Sequence, residues 1–194
     1  NALVATLGVG TVVMGLSYAI TQGMPVVLSD PTLLTWVSLQ RFLGLPLPVW
    51  IAILVAVLLW VGLNRTGLGM AVRAIGGNAE AARLSGVRVN ALRTGTFMVA
   101  GLCAGLGGFI IATRTGSATV DAGNSYLLSS FAAVFFGSAV LSNGKFHVFG
   151  TLVGVLTVGI AFNIMAIAGF PTAYQFLFQG LLLILGVGVG TVSR

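Results

Sequence analysis

The chain has 194 residues, of which 57% are hydrophobic and only 6% charged, with a formal net charge of +6. A soluble domain carries about 25% charged residues, so twelve charged side chains cannot clothe a water-exposed surface of this size. Lipid must be the solvent for most of the chain, and the basic residues, which sit between apolar runs without interleaved aromatics, fit membrane topology rather than a nucleic-acid interface.

Six apolar segments follow in order: 2–22, 48–63, 94–113, 127–141, 148–169 and 172–190. The fold class expected is all-α, a polytopic transmembrane helical bundle of about six segments, organised as a single domain over 1–194 with 64–93 as its cytoplasmic loop. The chain opens at Asn1 rather than Met and inside an apolar run, so it is expected to be the C-terminal portion of a longer chain. At 1.5 Å per residue the first, third and fifth segments each cover about 30 Å of hydrocarbon, and the last nearly does. Between the first two, Asp30-Pro31 reads as an N-cap followed by proline at the first helical position. Leu33, Leu34, Trp36, Val37 and Phe42 then give an apolar face, ended by Gly44 and Pro46. This is a short helix on the membrane surface or a lid over a pore. Trp50 and Trp60 stand near the two ends of 48–63 as interfacial anchors. Segment 127–141 would span only about 22 Å. It is either buried in protein or a half-helix broken near Gly137-Ser138, and broken backbone at membrane depth lines cavities.

Twenty-eight glycines suit helices that approach closely in lipid, and Gly101-xxx-Gly105 and Gly150-xxx-Gly154 have the spacing of packing contacts. The lone Cys103 lies mid-span and supports no disulfide framework. Arg65, Arg73, Arg83, Arg88 and Arg93 fall in one loop, which the positive-inside rule places in the cytoplasm. If all six segments cross, Lys145 and Arg194 join them, against Arg41 and Arg114 outside. If 127–141 is re-entrant, Lys145 and Arg194 move outside.

Within that loop, Gly76-Gly77 is expected to break a helix continuing from 48–63. Asn78 caps a new short helix with Glu80 in its first turn and Arg83 near its last, and Gly86 ends it as a C′ glycine. Asn90 is expected to cap the next span. Ala79, Ala81 and Ala82 are small enough to enter a groove in a partner. A solvated connecting loop whose arginines only set topology is the plainer reading.

The stretch TGLGMAVRAIGGNAEAARLSGVRVNALR at 66–93 resembles the cytoplasmic loop of permease subunits of ribose-type ATP-binding-cassette importers, in the ribose and branched-chain amino acid permease superfamily. The likeness continues through LGLPLPVWI at 43–51, the glycine-rich span after Arg93, AGNSYLLSSFAAVFFGS at 122–138 and NGKFHVFGTLVGVL at 143–156. The resemblance implies a multi-pass inner-membrane permease for a monosaccharide, partnered by a cytoplasmic ATP-binding subunit, a second permease subunit and a periplasmic sugar-binding protein. It implies that 78–86 is the coupling helix, with Gly77, Asn78, Glu80, Ala81, Ala82, Arg83 and Gly86 meeting the ATPase. No cofactor is expected on this chain; ATP and Mg would belong to the partner. The chain departs from the family's paired glycines at Phe136-Gly137-Ser138 and Ser142-Asn143-Gly144, which adds bulk beside the pathway and leaves open a cargo other than ribose.

Catalytic patterns are lacking. There is no GxxxxGK[ST], the one His and one Cys are far apart in sequence, and Asp30, Glu80, Asp121 and His147 fall on different sides of the membrane. His147 reads as a topological or hydrogen-bonding residue. No charge interrupts the spans, which suits a neutral polar cargo. Polar candidates near a pathway are Ser125, Ser129, Ser130, Asn163 and Gln175, with Phe131, Phe135 and Phe136 as an apolar gate beside Gly137. For any one of these residues taken singly, helix packing is the favoured reading. A lipid-embedded enzyme or structural membrane subunit remains the alternative.

Overall fold

The computed structural model describes residues 2–28, 32, 37, 40–141 and 146–192. The fold is all-α. Among the described residues the helices are α1 (Ala2–Thr21), α2 (Leu47–Arg65), α3 (Gly67–Gly77), α4 (Ala79–Leu84), α5 (Val89–Thr115), α6 (Ala122–Leu141), α7 (Val148–Ile167) and α8 (Thr172–Val192). Two-residue strands β1 (Val26–Val27) and β4 (Ser117–Ala118) pair antiparallel, as do β2 (Arg41–Phe42) and β3 (Leu45–Pro46). Four helices among the described residues, α1, α2, α5 and α7, are long and apolar enough to cross a membrane.

Several boundaries differ from those expected. Helix α2 runs for 19 residues and stops at Thr66, where φ −118° and ψ 156° are extended; it does not continue to Gly76. The Thr66 hydroxyl accepts the Gly69 N–H at 3.4 Å and opens α3 as a separate helix. Helix α5 starts at Val89 with Arg88 in the cap position, so Asn90 lies inside its first turn and does not cap it. Helix α6 runs for 20 residues, unbroken through Gly137-Ser138. Its polar opening at 122–126 extends the apolar run, because a helix needs satisfied backbone groups rather than apolar side chains to form. At the glycine step the Ser138 hydroxyl donates to the Phe135 carbonyl at 2.9 Å. Arg41 and Phe42 belong to a strand, not to a surface helix. Asp30, Pro31, Leu33, Leu34 and Trp36 lie outside the described residues, as do Ser142, Asn143, Gly144, Lys145 and Arg194.

Trp50 and Trp60 do stand near the two ends of α2 and are tied there. The Trp50 indole N–H donates to the Phe42 carbonyl at 3.0 Å, and its ring meets Phe42 edge-on at 5.8 Å. The Arg65 guanidinium lies 5.8 Å from the centre of the Trp60 ring, within cation–π range.

The chain divides into two compact units, 1–55 with 66–123 and 56–65 with 124–194. In the first, α3, α4 and α5 pack on one another. The β1–β4 pair, the Leu28 N–H bonded to the Gly116 carbonyl at 3.0 Å, and the Tyr18 hydroxyl donating to Asp121 Oδ2 at 2.6 Å tie the end of α1 to the end of α5. In the second unit α6, α7 and α8 meet through glycines. A Cβ on Gly137 would fall on the Gly150 carbonyl, one on Gly154 would fall on the Ala133 carbonyl, and one on Gly186 would lie 2.9 Å from the Phe135 Cβ. Ala132, Ala133 and Val158 are buried beside these contacts. The 150/154 spacing is therefore a packing contact, whereas a Cβ at Gly101 or Gly105 would meet open space.

Gly154→Leu should accordingly destabilise the detergent-solubilised protein by at least the 1–3 kcal/mol typical of overpacking, while Gly101→Ala leaves its thermal midpoint within a degree or two. Equal tolerance at both positions in a thermal-melt comparison would contradict the packing described.

Candidate functional site

The corner formed by α3, α4 and α5 is built from local capping. Asn78 leaves α3 with extended backbone, and its side-chain Oδ1 accepts the N–H groups of Glu80 at 3.0 Å and Ala81 at 3.1 Å. Glu80 sits in the first turn and Arg83 in the last, matching the positive and negative ends of the helix dipole. At the other end Gly86 takes φ +84°. Its N–H reaches the Arg83 carbonyl and the Val87 N–H reaches the Ala82 carbonyl, each at 3.0 Å. These two bonds are a Schellman closure. Six residues cannot hold a helix alone; α4 persists because both ends are capped and Ala82 is buried at 5% exposure.

That burial divides the predicted contact residues. Ala82 is turned inward, so its contribution here is packing. At about 100° per residue, Glu80 and Leu84 stand nearly opposite Ala82, on the outward side. Ala81 and Arg83 are also exposed. Leu84, at 83% exposure, is the most prominent apolar group on α4, and the sequence reading missed it. The signal was present as an apolar residue two places before the terminating glycine, on the face across from Ala82.

The second candidate region lies on α6 and α8. The Phe131 ring stacks on Phe135 at 6.5 Å, and Phe135 meets Phe146 edge-on at 5.5 Å. Phe136 is half-buried and Gly137 buried. Ser125 is exposed, and its carbonyl accepts the Ser129 hydroxyl at 2.7 Å. Gln179, 5% exposed, donates from Nε2 to the Ser129 oxygen at 3.0 Å. The sequence reading had named Gln175 in its place. Asn163 is exposed on α7 and stands apart from these contacts. His147 caps α7, its Nδ1 accepting the Gly150 N–H at 2.8 Å, the hydrogen-bonding role expected of it. No group of three metal-ligating side chains occurs among the described residues.

Residues 1–187 match the family described as branched-chain amino acid transport system / permease component. The chain belongs to that family. It is 36% identical over 190 residues to the ribose import permease protein RbsC of Escherichia coli, covering 96% of this chain and 59% of the relative. RbsC of Bacillus subtilis is 37% identical over 185 residues, at 95% and 58% coverage. The L-arabinose transport system permease protein AraH of Escherichia coli is 32% identical over 187 residues, at 96% and 57%. The chain thus spans somewhat under three-fifths of the length of these relatives. No solved structure matches it. With its long apolar helices, this family member is a multi-pass inner-membrane protein.

Asn78→Ala removes the acceptor for two amides and should cost the corner about 1 kcal/mol. Hydrogen exchange at the Glu80 and Ala81 amides should then quicken about fivefold, with exchange in α5 unchanged.

Proposed function

We propose that this chain forms part of a permease domain in an ATP-driven importer, lining part of the route taken by a monosaccharide. It acts as a transport component, not as an enzyme. A cytoplasmic ATP-binding subunit, carrying ATP and Mg, supplies the energy; a periplasmic sugar-binding protein delivers the cargo; a second permease subunit completes the pathway. The names of the relatives, ribose import and L-arabinose transport permeases, support a pentose-like cargo. This chain binds no cofactor of its own.

The observation that carries this reading is α4. A two-turn helix closed at both ends and seated on α3 and α5 is stiff, and it presents Leu84, Glu80, Ala81 and Arg83 outward. Gly77 and Asn78 form its entry and Gly86 its exit. Arginines at 65, 73, 83, 88 and 93 put this corner in the cytoplasm, on the side of an ATP-binding partner. An exposed leucine ringed by charged side chains is the usual anatomy of a contact core with a polar rim. For coupling to occur, the energy of that contact must differ between the two states of the ATPase. The same arginines on a purely topological loop would give no reason for a doubly capped helix. On α6, Phe131, Phe135 and Phe136 supply an apolar constriction beside Gly137; Ser125, toward the start of α6, and Asn163, on α7, are exposed polar groups along the proposed route.

Leu84→Glu and Gly86→Pro each break a different element, the contact and the closure, since proline cannot adopt φ +84°. Both should lower co-purification of the ATP-binding subunit and ATP-driven sugar uptake at least tenfold, with the permease still present in the membrane. Uptake that survives both changes would remove the coupling assignment.

A further inference from the structure

Residues 41–46 form a hairpin whose shape asks for an explanation outside the transport reading. β2 and β3 pair Arg41 with Pro46 and Phe42 with Leu45, leaving Leu43-Gly44 as a two-residue turn. Both turn residues have positive φ, +52° and +82°, the signature of a type I′ turn, in which asparagine, aspartate or glycine ordinarily fills the first place. A leucine there holds a left-handed backbone at an energetic disadvantage. Its side chain nevertheless points into open surroundings, with Leu43 at 78% exposure and Phe42 at 63%.

The hairpin is rooted rather than loose. Gln40 accepts the Leu47 N–H at 3.2 Å, so the base of the hairpin closes on the first residue of α2. Trp50, one turn into α2, bonds the Phe42 carbonyl through its indole N–H and stacks edge-on against the ring. A hairpin whose last residue, Pro46, adjoins a helix long and apolar enough to cross a membrane cannot lie far from the membrane boundary. It also stands at the opposite end of α2 from the arginine-rich corner. Its composition fits that depth: aromatic and aliphatic side chains at the tip, an arginine at the base, and an indole between them.

We propose that this hairpin is a lipid-inserting wedge, which buries Phe42, Leu43 and Leu45 at the headgroup–acyl boundary of the outer leaflet and sets the Arg41 guanidinium among phospholipid phosphates. The occupant of its apolar face is phospholipid, continuous with the lipid that surrounds α2. The wedge pins the depth of α2 and does not require sugar transport for its test.

The test places a nitroxide on Leu43→Cys in a Cys103→Ala background, in the full-length chain within its assembled complex in phosphatidylethanolamine/phosphatidylglycerol vesicles. Power saturation compares access of oxygen with access of a water-soluble nickel chelate. The wedge predicts oxygen access at least threefold greater. It also predicts that Leu43→Asn, which suits the turn's backbone, moves a label at Leu45→Cys toward equal access. Equal access of the two reagents at position 43 would mean a water-facing turn, and poor access of both would mean a protein surface covers it. Either result overturns the proposal.

Discussion

Hydrocarbon offers nothing to a donor or acceptor, so every polar group carried into the bilayer must find its partner within the protein. The hydroxyls of the long helices answer this by folding back. Thr11 donates to the Leu7 carbonyl, Ser17 to Val13, Ser130 to Tyr126 and Thr157 to Val153, all between 2.7 and 3.0 Å. A polar side chain that satisfies its own helix adds no directional tie to a neighbour. Gln179 is different: its amide donates to Ser129 and so links α8 to α6.

The same solvent explains why the helices touch through glycine. Lipid tails are as apolar as leucine, so no hydrophobic gain accompanies the meeting of two spans, and close van der Waals contact must supply the attraction. Gly137 and Gly150 bring backbone against backbone where α6 passes α7. Gly137 looked in the sequence like a place for a helix to break. In the fold it is a place for a helix to be approached, and the helix itself is continuous.

What was legible in the sequence tracks how local the physics is. The Asn78–Gly86 helix was readable to the residue, because a cap and its amides lie within three positions of each other. Long apolar runs exposed α1, α5 and α7, although not the polar extension that begins α6 at Ala122. The end of α2 at Thr66 was missed because the glycines at 76–77 are the louder signal. Contacts joining distant residues left no trace: Gln179 with Ser129, β1 with β4, and the Tyr18–Asp121 bond depend on the assembled fold. Leu84 was hidden for a simpler reason. The small size of its neighbours drew attention to the alanines, of which Ala82 turned out to point inward.

Helix α5 is 27 residues long, about 40 Å at 1.5 Å per residue. Its first turn lies against α3 and α4, and its last leads through Gly116 into the strand that pairs with β1 beyond α1. The Ala82–Val87 bond seats α4 at its base, and the β1–β4 pair with Tyr18 and Asp121 clamps the far end. One continuous helix is thus tied at both of its ends, and the two aqueous sides of this unit share a single covalent element.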